Sequence, residues 1–215
     1  ARWKKPDGTI VPPAYFIDSL EKIGYITELD FYIFEEVLKT LDKWNRQKKR
    51  KIIISTNFSG RHFEGTGEEF LNRIAHVMSK YTVLPSNVEI EVTEGVLVKN
   101  VEVLRHCLNR LHDMGFRIAI DDFGTGYSSL SMLADMPSDV IKIDKSFINV
   151  GMTDQKLKLL CEIGRMVKIL GKEIIIEGVE TKEQEQFLID GGFECGQGFL
   201  CNRPVSLGEF ERLYL

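Results

Sequence analysis

Five short runs rich in β-branched residues recur along the chain: KIIISTN (51–57), NVEIEVTE (87–94), FRIAIDD (116–122), DVIKID (139–144) and KEIIIEGVE (172–180). Their compact, nearly continuous apolar character predicts parallel strands covered on both faces. Helical spacing fills the intervals, in EEFLNRIAHVMSKY, VEVLRHCLNRLHDMG, QKLKLLCEIGRMVKILG and KEQEQFLIDGG, and three of these patterns close on Gly after the last apolar turn. Upstream, PPAYFIDSLEKIGYITELDFYIFEEVLKTLDKW predicts two further helices before the first clear strand. Strand and helix alternating about every 20 to 35 residues is the pattern of βαβ units around a parallel sheet. No linker or low-complexity segment divides the chain, so it reads as one domain over residues 1–215.

The polar residues fall where the strands end: Asn57; Glu91 with Glu94; Asp121 with Asp122; Lys142 with Asp144; Glu177 with Glu180. In parallel α/β folds these ends share one rim, where sites are built. Any one of these residues could simply cap the next helix. All five groups together fit that explanation poorly, because long acids and a lysine lie within runs otherwise suited to burial. Carboxylates crowded on one rim repel each other unless a cation neutralises them. Oxygen ligands without His or Cys favour a hard ion, Mg2+ or Mn2+, over Zn2+.

Asp121 and Asp122 would point to opposite faces inside a strand, but at its end both can turn to the rim. Two adjacent carboxylates there could serve two ions about 3.5–4 Å apart, the arrangement used for in-line attack on a phosphodiester. The Gly-rich stretch FGTGYSSLSML follows directly, with backbone N–H groups suited to a phosphate or to holding the acids. Lys142, within VIKID, would be costly to bury without acids around it, and beside a water it could orient the nucleophile or take its proton.

Composition narrows the partners. With 28 basic and 32 acidic residues the net charge is −4, which provides no field for DNA, RNA or an anionic membrane. The basic run RQKKRK (46–51) has no interleaved aromatics and reads as a solvated helix end. Cys107, Cys161, Cys195 and Cys201 form no CxxC pair and read as reduced, mostly buried thiols of a cytoplasmic protein. No apolar run approaches the ~20 residues of a membrane span, so a span would belong to another part of a larger membrane-bound protein. His62, His76, His106 and His112 lie away from the strand ends and read as surface or packing residues.

Taken in order, ARW near the start, STNFS (55–59), EVTE (91–94), DDFGTGYSSL (121–130), KIDKSF (142–147), EGVET (177–181) and QGFLCNRP (197–204) resemble the EAL family of cyclic di-GMP phosphodiesterases. The resemblance covers nearly the whole chain. It implies an α/β fold, a modified (β/α)8 TIM-like barrel with one antiparallel strand, the first strand being incomplete here. It also implies metal-dependent hydrolysis of cyclic di-GMP to linear pGpG by attack of a metal-bound water, with Mg2+ or Mn2+, two ions, as cofactors. By position, Asn57, Glu91, Asp121 and Asp122 resemble metal ligands, and Glu177 a further acid at the metal and water site. Lys142 is similar to the family lysine that contacts the attacking water, for which a general-base role is the usual proposal. Glu94 resembles the acid that fixes the DDFGTGYSSL loop. Arg2 matches an arginine on the ligand's phosphate, and Glu180 and Gln197 match further substrate-site positions. The resemblance further implies a homodimer and fusion or coupling to sensor or GGDEF domains.

One departure bears on activity. The glutamate of the Glu-Ala-Leu signature belongs three positions before Ala1, outside the chain. The continuity of ARWKKPDGTIVPPAYFI with the family pattern favours a chain cut there over loss of the motif. The alternative function is a catalytically silent cyclic di-GMP receptor, and a third is a protein-binding module indifferent to the nucleotide.

Overall fold

The structure, a computed structural model, describes residues 2–97, 100–126, 130–149 and 153–215. A two-stranded antiparallel ribbon, β1 (Trp3–Lys4) and β2 (Ile10–Val11), leads into α1 (Ile17–Ile23) and α2 (Ile26–Arg46). Strands and helices then alternate: β3 (Ile54–Asn57), α3 (Glu68–Met78), β4 (Val88–Thr93), α4 (Val101–Asp113), β5 (Arg117–Phe123), α5 (Leu130–Asp135) and β6 (Val140–Ile143). After α6 (Ser146–Asn149) come α7 (Asp154–Ile169), β7 (Glu173–Glu177), α8 (Lys182–Asp190), β8 (Gly196–Gln197) and α9 (Leu207–Tyr214).

The six strands β3 to β8 pair in sequence order, each parallel to the next, in a curled half-barrel. Antiparallel pairing among the described residues is confined to β1 and β2, so the opposed barrel strand that the resemblance implies is not one of the six. The five predicted strands and the predicted helices all form. The two-residue β8 and the short helices α5 and α6 are too brief for a periodic signal, whereas α9 carries one, in Leu207, Phe210, Leu213 and Tyr214, that the sequence reading passed over.

The strands differ from expectation in one instructive way: they are not apolar on both faces. Ile90, Val92, Ile118, Ile120, Ile141, Ile143 and Ile176 are fully buried in the main core. They pack with Phe34 and Leu38 of α2, Ile74 of α3, Leu104, Leu108 and Leu111 of α4 and Val167 of α7 in one cluster. The alternate positions, Ser55, Asn57, Glu89, Glu91, Arg117, Asp121, Lys142, Glu173 and Glu177, bond to one another across the opposite face. Period-two alternation thus sends aliphatics to the helices and polar groups into the barrel interior. That alternation is visible in NVEIEVTE, where it was masked by the β-branched content.

A local signal starts α8 sharply after the end of β7. Thr181 caps α8 by accepting from Gln184 N while the Gln184 side chain accepts from Thr181 N, a reciprocal capping box. The helix therefore begins soon after Glu177, and the turn leaves that acid at the rim. The last helix, α9, is fastened to α2 by a Trp44–Phe210 ring stack and by Glu211 Oε1, which accepts from Trp44 Nε1 and Lys43 Nζ.

The cysteines separate. Cys107 is buried and Cys161 half-buried, but Cys195 and Cys201 are exposed, contrary to the expectation of mostly buried thiols. They flank β8 at the margin of the sheet, in a segment whose glycines give little side chain to cover them. Residues 46–51 are exposed, as a solvated helix end should be.

Candidate metal centre

At the C-terminal ends of the strands, Lys142 is the hub. Its Nζ lies 3.0 Å from Glu91 Oε1, 3.0 Å from Asp121 Oδ1 and 2.8 Å from Glu177 Oε1. Those acids come from β4, β5 and β7, so one ammonium of β6 gathers three other strands. Asn57 joins from β3, donating from Nδ2 to Glu91 Oε2 at 2.9 Å. Burial of Lys142 works against its charge, but Glu91, Asp121 and Glu177 outweigh it and hold the ammonium well above the usual lysine range. Burial pushes the carboxyls of Glu91 and Glu177 up; Lys142 opposes the shift and Asp121 adds to it.

Asp122 completes the acidic set. Its φ of 55° is left-handed, an uncommon conformation for a residue with a side chain. Each of Asp121, Asp122 and Glu177 offers a carboxylate oxygen, and the three oxygens lie within 4.8 Å of one another. Burial, then the charges of Asp121 and Asp144, raise the Asp122 carboxyl. Asp121 Oδ1 is buried and accepts no hydrogen bond from the described residues, despite its ionic contact with Lys142. A crowded all-oxygen set with an unsatisfied buried oxygen fits a hard divalent cation.

The loop after β5 is pinned from below. Glu94 is buried, and its Oε2 accepts from Gly124 N and Gly126 N at 2.8 Å each. Gly124 has a φ of 98°, and a Cβ there would stand 2.2 Å from the Phe147 ring, so both conformation and space require glycine. Residues 127–129 of the predicted loop, and Ala1 of the ARW segment, lie outside the described residues. The loop after β3 is held similarly: Asp30 Oδ2 accepts from Ser59 N and pairs with His62 Nε2 at 3.0 Å.

The three residues predicted to contact the nucleotide are all exposed. Arg2 is exposed at the head of β1. Glu180 is exposed, and its backbone N–H donates to Gln184 Oε1. Gln197 is exposed on β8, where it pairs in register with Glu177 and borders a cavity of about 390 Å3 with Phe199 and Arg203. Two further hollows, of about 560 and 390 Å3, share Glu21, Ser59, Gly60 and Thr93, and the second also borders Asn57. Sequence reasoning missed Ser55, Glu89, Arg117 and Glu173, which lie beneath the cluster on its face of the sheet; the alternation in NVEIEVTE was a signal for Glu89, but Glu173 is followed by three consecutive isoleucines that hide it.

The fold and the cluster define an α/β half-barrel that concentrates acids and a lysine at its strand ends. The chain belongs to the EAL domain family, whose profile matches residues 1–204. It is 36% identical over 211 residues to the signaling protein YkoW of Bacillus subtilis (strain 168), covering 98% of this chain and 26% of that protein. It is 31% identical over 214 residues to the cyclic di-GMP phosphodiesterase PdeR of Escherichia coli (strain K12), covering 99% of this chain and 32% of PdeR. The chain thus spans about a quarter to a third of the length of these curated relatives. Among solved structures, the PaMucR phosphodiesterase in complex with c-di-GMP superposes with a TM-score of 0.89 at 30% identity, over 97% of this chain and 84% of that one. No helix among the described residues is long and apolar enough to cross a membrane.

Proposed function

We propose that the chain hydrolyses one phosphodiester bond of cyclic di-GMP to linear pGpG, with Asn57, Glu91, Asp121, Asp122 and Glu177 holding two Mg2+ or Mn2+ ions. The observation that carries this reading is the convergence of Glu91, Asp121 and Glu177 on Lys142, with Asp122 alongside. Four carboxylates face one ammonium there, an imbalance that divalent cations would correct. Relatives named as phosphodiesterases of this nucleotide support the choice of substrate.

Bound cations would polarise the phosphoryl oxygens and lower the proton affinity of the attacking water. The protein's own groups prepare that step. Lys142 fixes the orientation of three carboxylates and keeps a positive charge where charge builds on the phosphate. Lys142, an ammonium among three carboxylates, acts by orienting the water and offsetting charge, and a Glu177 oxygen not engaged by a cation would receive the proton. The water oxygen forms the new P–O bond and one ribose oxygen leaves, taking up a proton. Glu94 holds the loop beside Asp122; Arg2 contacts a phosphate of the nucleotide, and Glu180 and Gln197 are further substrate-binding residues.

The test is turnover of cyclic di-GMP by the protein with its native flanking sequence, in Mg2+ or Mn2+, with pGpG identified by mass. The expected result is metal-dependent hydrolysis that Asp121→Asn reduces by about a hundredfold or more. Binding without hydrolysis in either ion would make the chain a receptor. Absence of both would overturn the assignment.

A further inference from the structure

We propose that Arg117 is a positioning residue for the strand-end cluster, acting from the floor of the half-barrel through Glu89. Its Nε donates to Glu89 Oε2 at 3.3 Å and its Nη2 to Glu173 Oε2 at 3.0 Å. Ser55 Oγ donates to the other oxygen of Glu89 at 2.8 Å. One network therefore joins β3, β4, β5 and β7, and the Arg117–Glu173 contact passes over β6, which lies between its two strands.

Each strand tied at the floor also supplies a group at the rim, on the same face. Ser55 lies below Asn57, Glu89 below Glu91, Arg117 below Asp121 and Glu173 below Glu177. Ser55 and Glu89 lie two residues, roughly 7 Å, from Asn57 and Glu91, and Arg117 and Glu173 four residues, roughly 13 Å, from Asp121 and Glu177, so a strand that slips at the floor slips at the rim. The intervening strand β6 has Val140 at floor level, and its cation, Lys142, acts one level higher. Two cations on adjacent strands thus cross-link the same acids-bearing strands at two heights. The arms of the floor are unequal. Glu89 is 5% exposed, whereas the Glu173 side chain is 66% exposed and its ion pair is screened by water. Arg117–Glu89 is the pair that matters.

The test uses protein labelled with 15N-lysine, read by the Lys142 Nζ resonance without metal, together with the dissociation constant for Mn2+. Arg117→Met is expected to shift or broaden the Lys142 resonance and to weaken Mn2+ binding about tenfold, the usual scale for loss of a group supporting a ligand. Arg117→Lys should recover part of both. The double variant Arg117→Met/Glu89→Gln, which removes one charge of each sign, should not. An unchanged Lys142 resonance and Mn2+ constant in Arg117→Met, with only a lower melting temperature, would overturn the proposal; so would full recovery in the double variant, which would make the effect one of charge alone. Should Arg117→Met fail to fold, Glu89→Gln carries the same readouts. The Mn2+ arm rests on the metal-site reading; if the unaltered protein binds no Mn2+, that reading falls and the Lys142 resonance alone decides this one.

Discussion

Lys142 Nζ lies 2.8 Å from Glu177 Oε1, and the two residues come from adjacent parallel strands whose register pairs Lys142 with Ile175. The acid thus stands one step higher on the same face than the lysine that holds it. The side chains meet at the rim because each strand ends there. Removing the lysine would leave Glu91, Asp121 and Glu177 facing one another with no cation. Lys142→Met should lower the stability of the metal-free protein by about 3 kcal/mol, as breaking a buried ion pair does. Urea unfolding with an unchanged slope would read this loss, and added Mn2+ should restore part of it.

Glu94 offers one oxygen to two successive loop amides, Gly124 and Gly126. Hydrogen bonds to a charged acceptor are each worth about 1.5–3 kcal/mol. Glu94→Ala should release the loop, which amide hydrogen exchange at Gly124 and Gly126 would report as lost protection. Turnover should fall on the order of tenfold to a hundredfold, since the loop sets the position of Asp122. Glu94→Gln keeps one acceptor oxygen and should fall between.

Burial lifts the carboxyls of Glu91, Asp122 and Glu177 above their ordinary ranges. The folded protein then holds these protons more tightly than the unfolded chain does. Their contribution to stability is full below the unfolded values and is lost as pH rises through the raised folded values. A cation bound by the same oxygens competes with those protons, so its stabilisation should grow over the same interval. Melting temperatures recorded with chelator and with Mn2+, from the carboxylate range to neutrality, should diverge as pH rises. A Mn2+ effect independent of pH would contradict this.

Thiol reactivity should follow exposure. Cys195 and Cys201 are exposed, whereas burial pushes the Cys107 thiol up to about 11. Alkylation of the native protein, followed by mass spectrometry of its peptides, should modify Cys195 and Cys201 first and Cys107 only on unfolding. Fast labelling of Cys107 would mean that α4 opens readily from the sheet.

Much of the candidate centre was legible in the chain because polar groups stand out toward strand ends: Asn57 and Glu177 close their runs, Glu91, Asp121 and Lys142 lie within two residues of a strand's end, and the structure joins all five. Arg117 and Glu89 were not legible as partners. Within their runs they look like isolated charges in apolar strands, and only the shared inward face makes them a pair. Glu180 and Gln197 were named on family motifs: Gln197 stands in register beside Glu177 on β8, whereas Glu180 lies in the turn that leads into α8.

The amino-acid sequence by itself determined the order of strands and helices, the parallel sense of the main sheet and the residues that reach its rim. Periodicity and strand-end chemistry are local properties, carried by a few consecutive residues. Tertiary structure alone decided which charges meet. Curling six parallel strands brings β4 and β7 to the same cation, and that convergence depends on strand twist and on the helices packed against the aliphatic face. It also decided that Lys142 keeps its proton, because the balance between burial and three carboxylates exists only once four strands are in place.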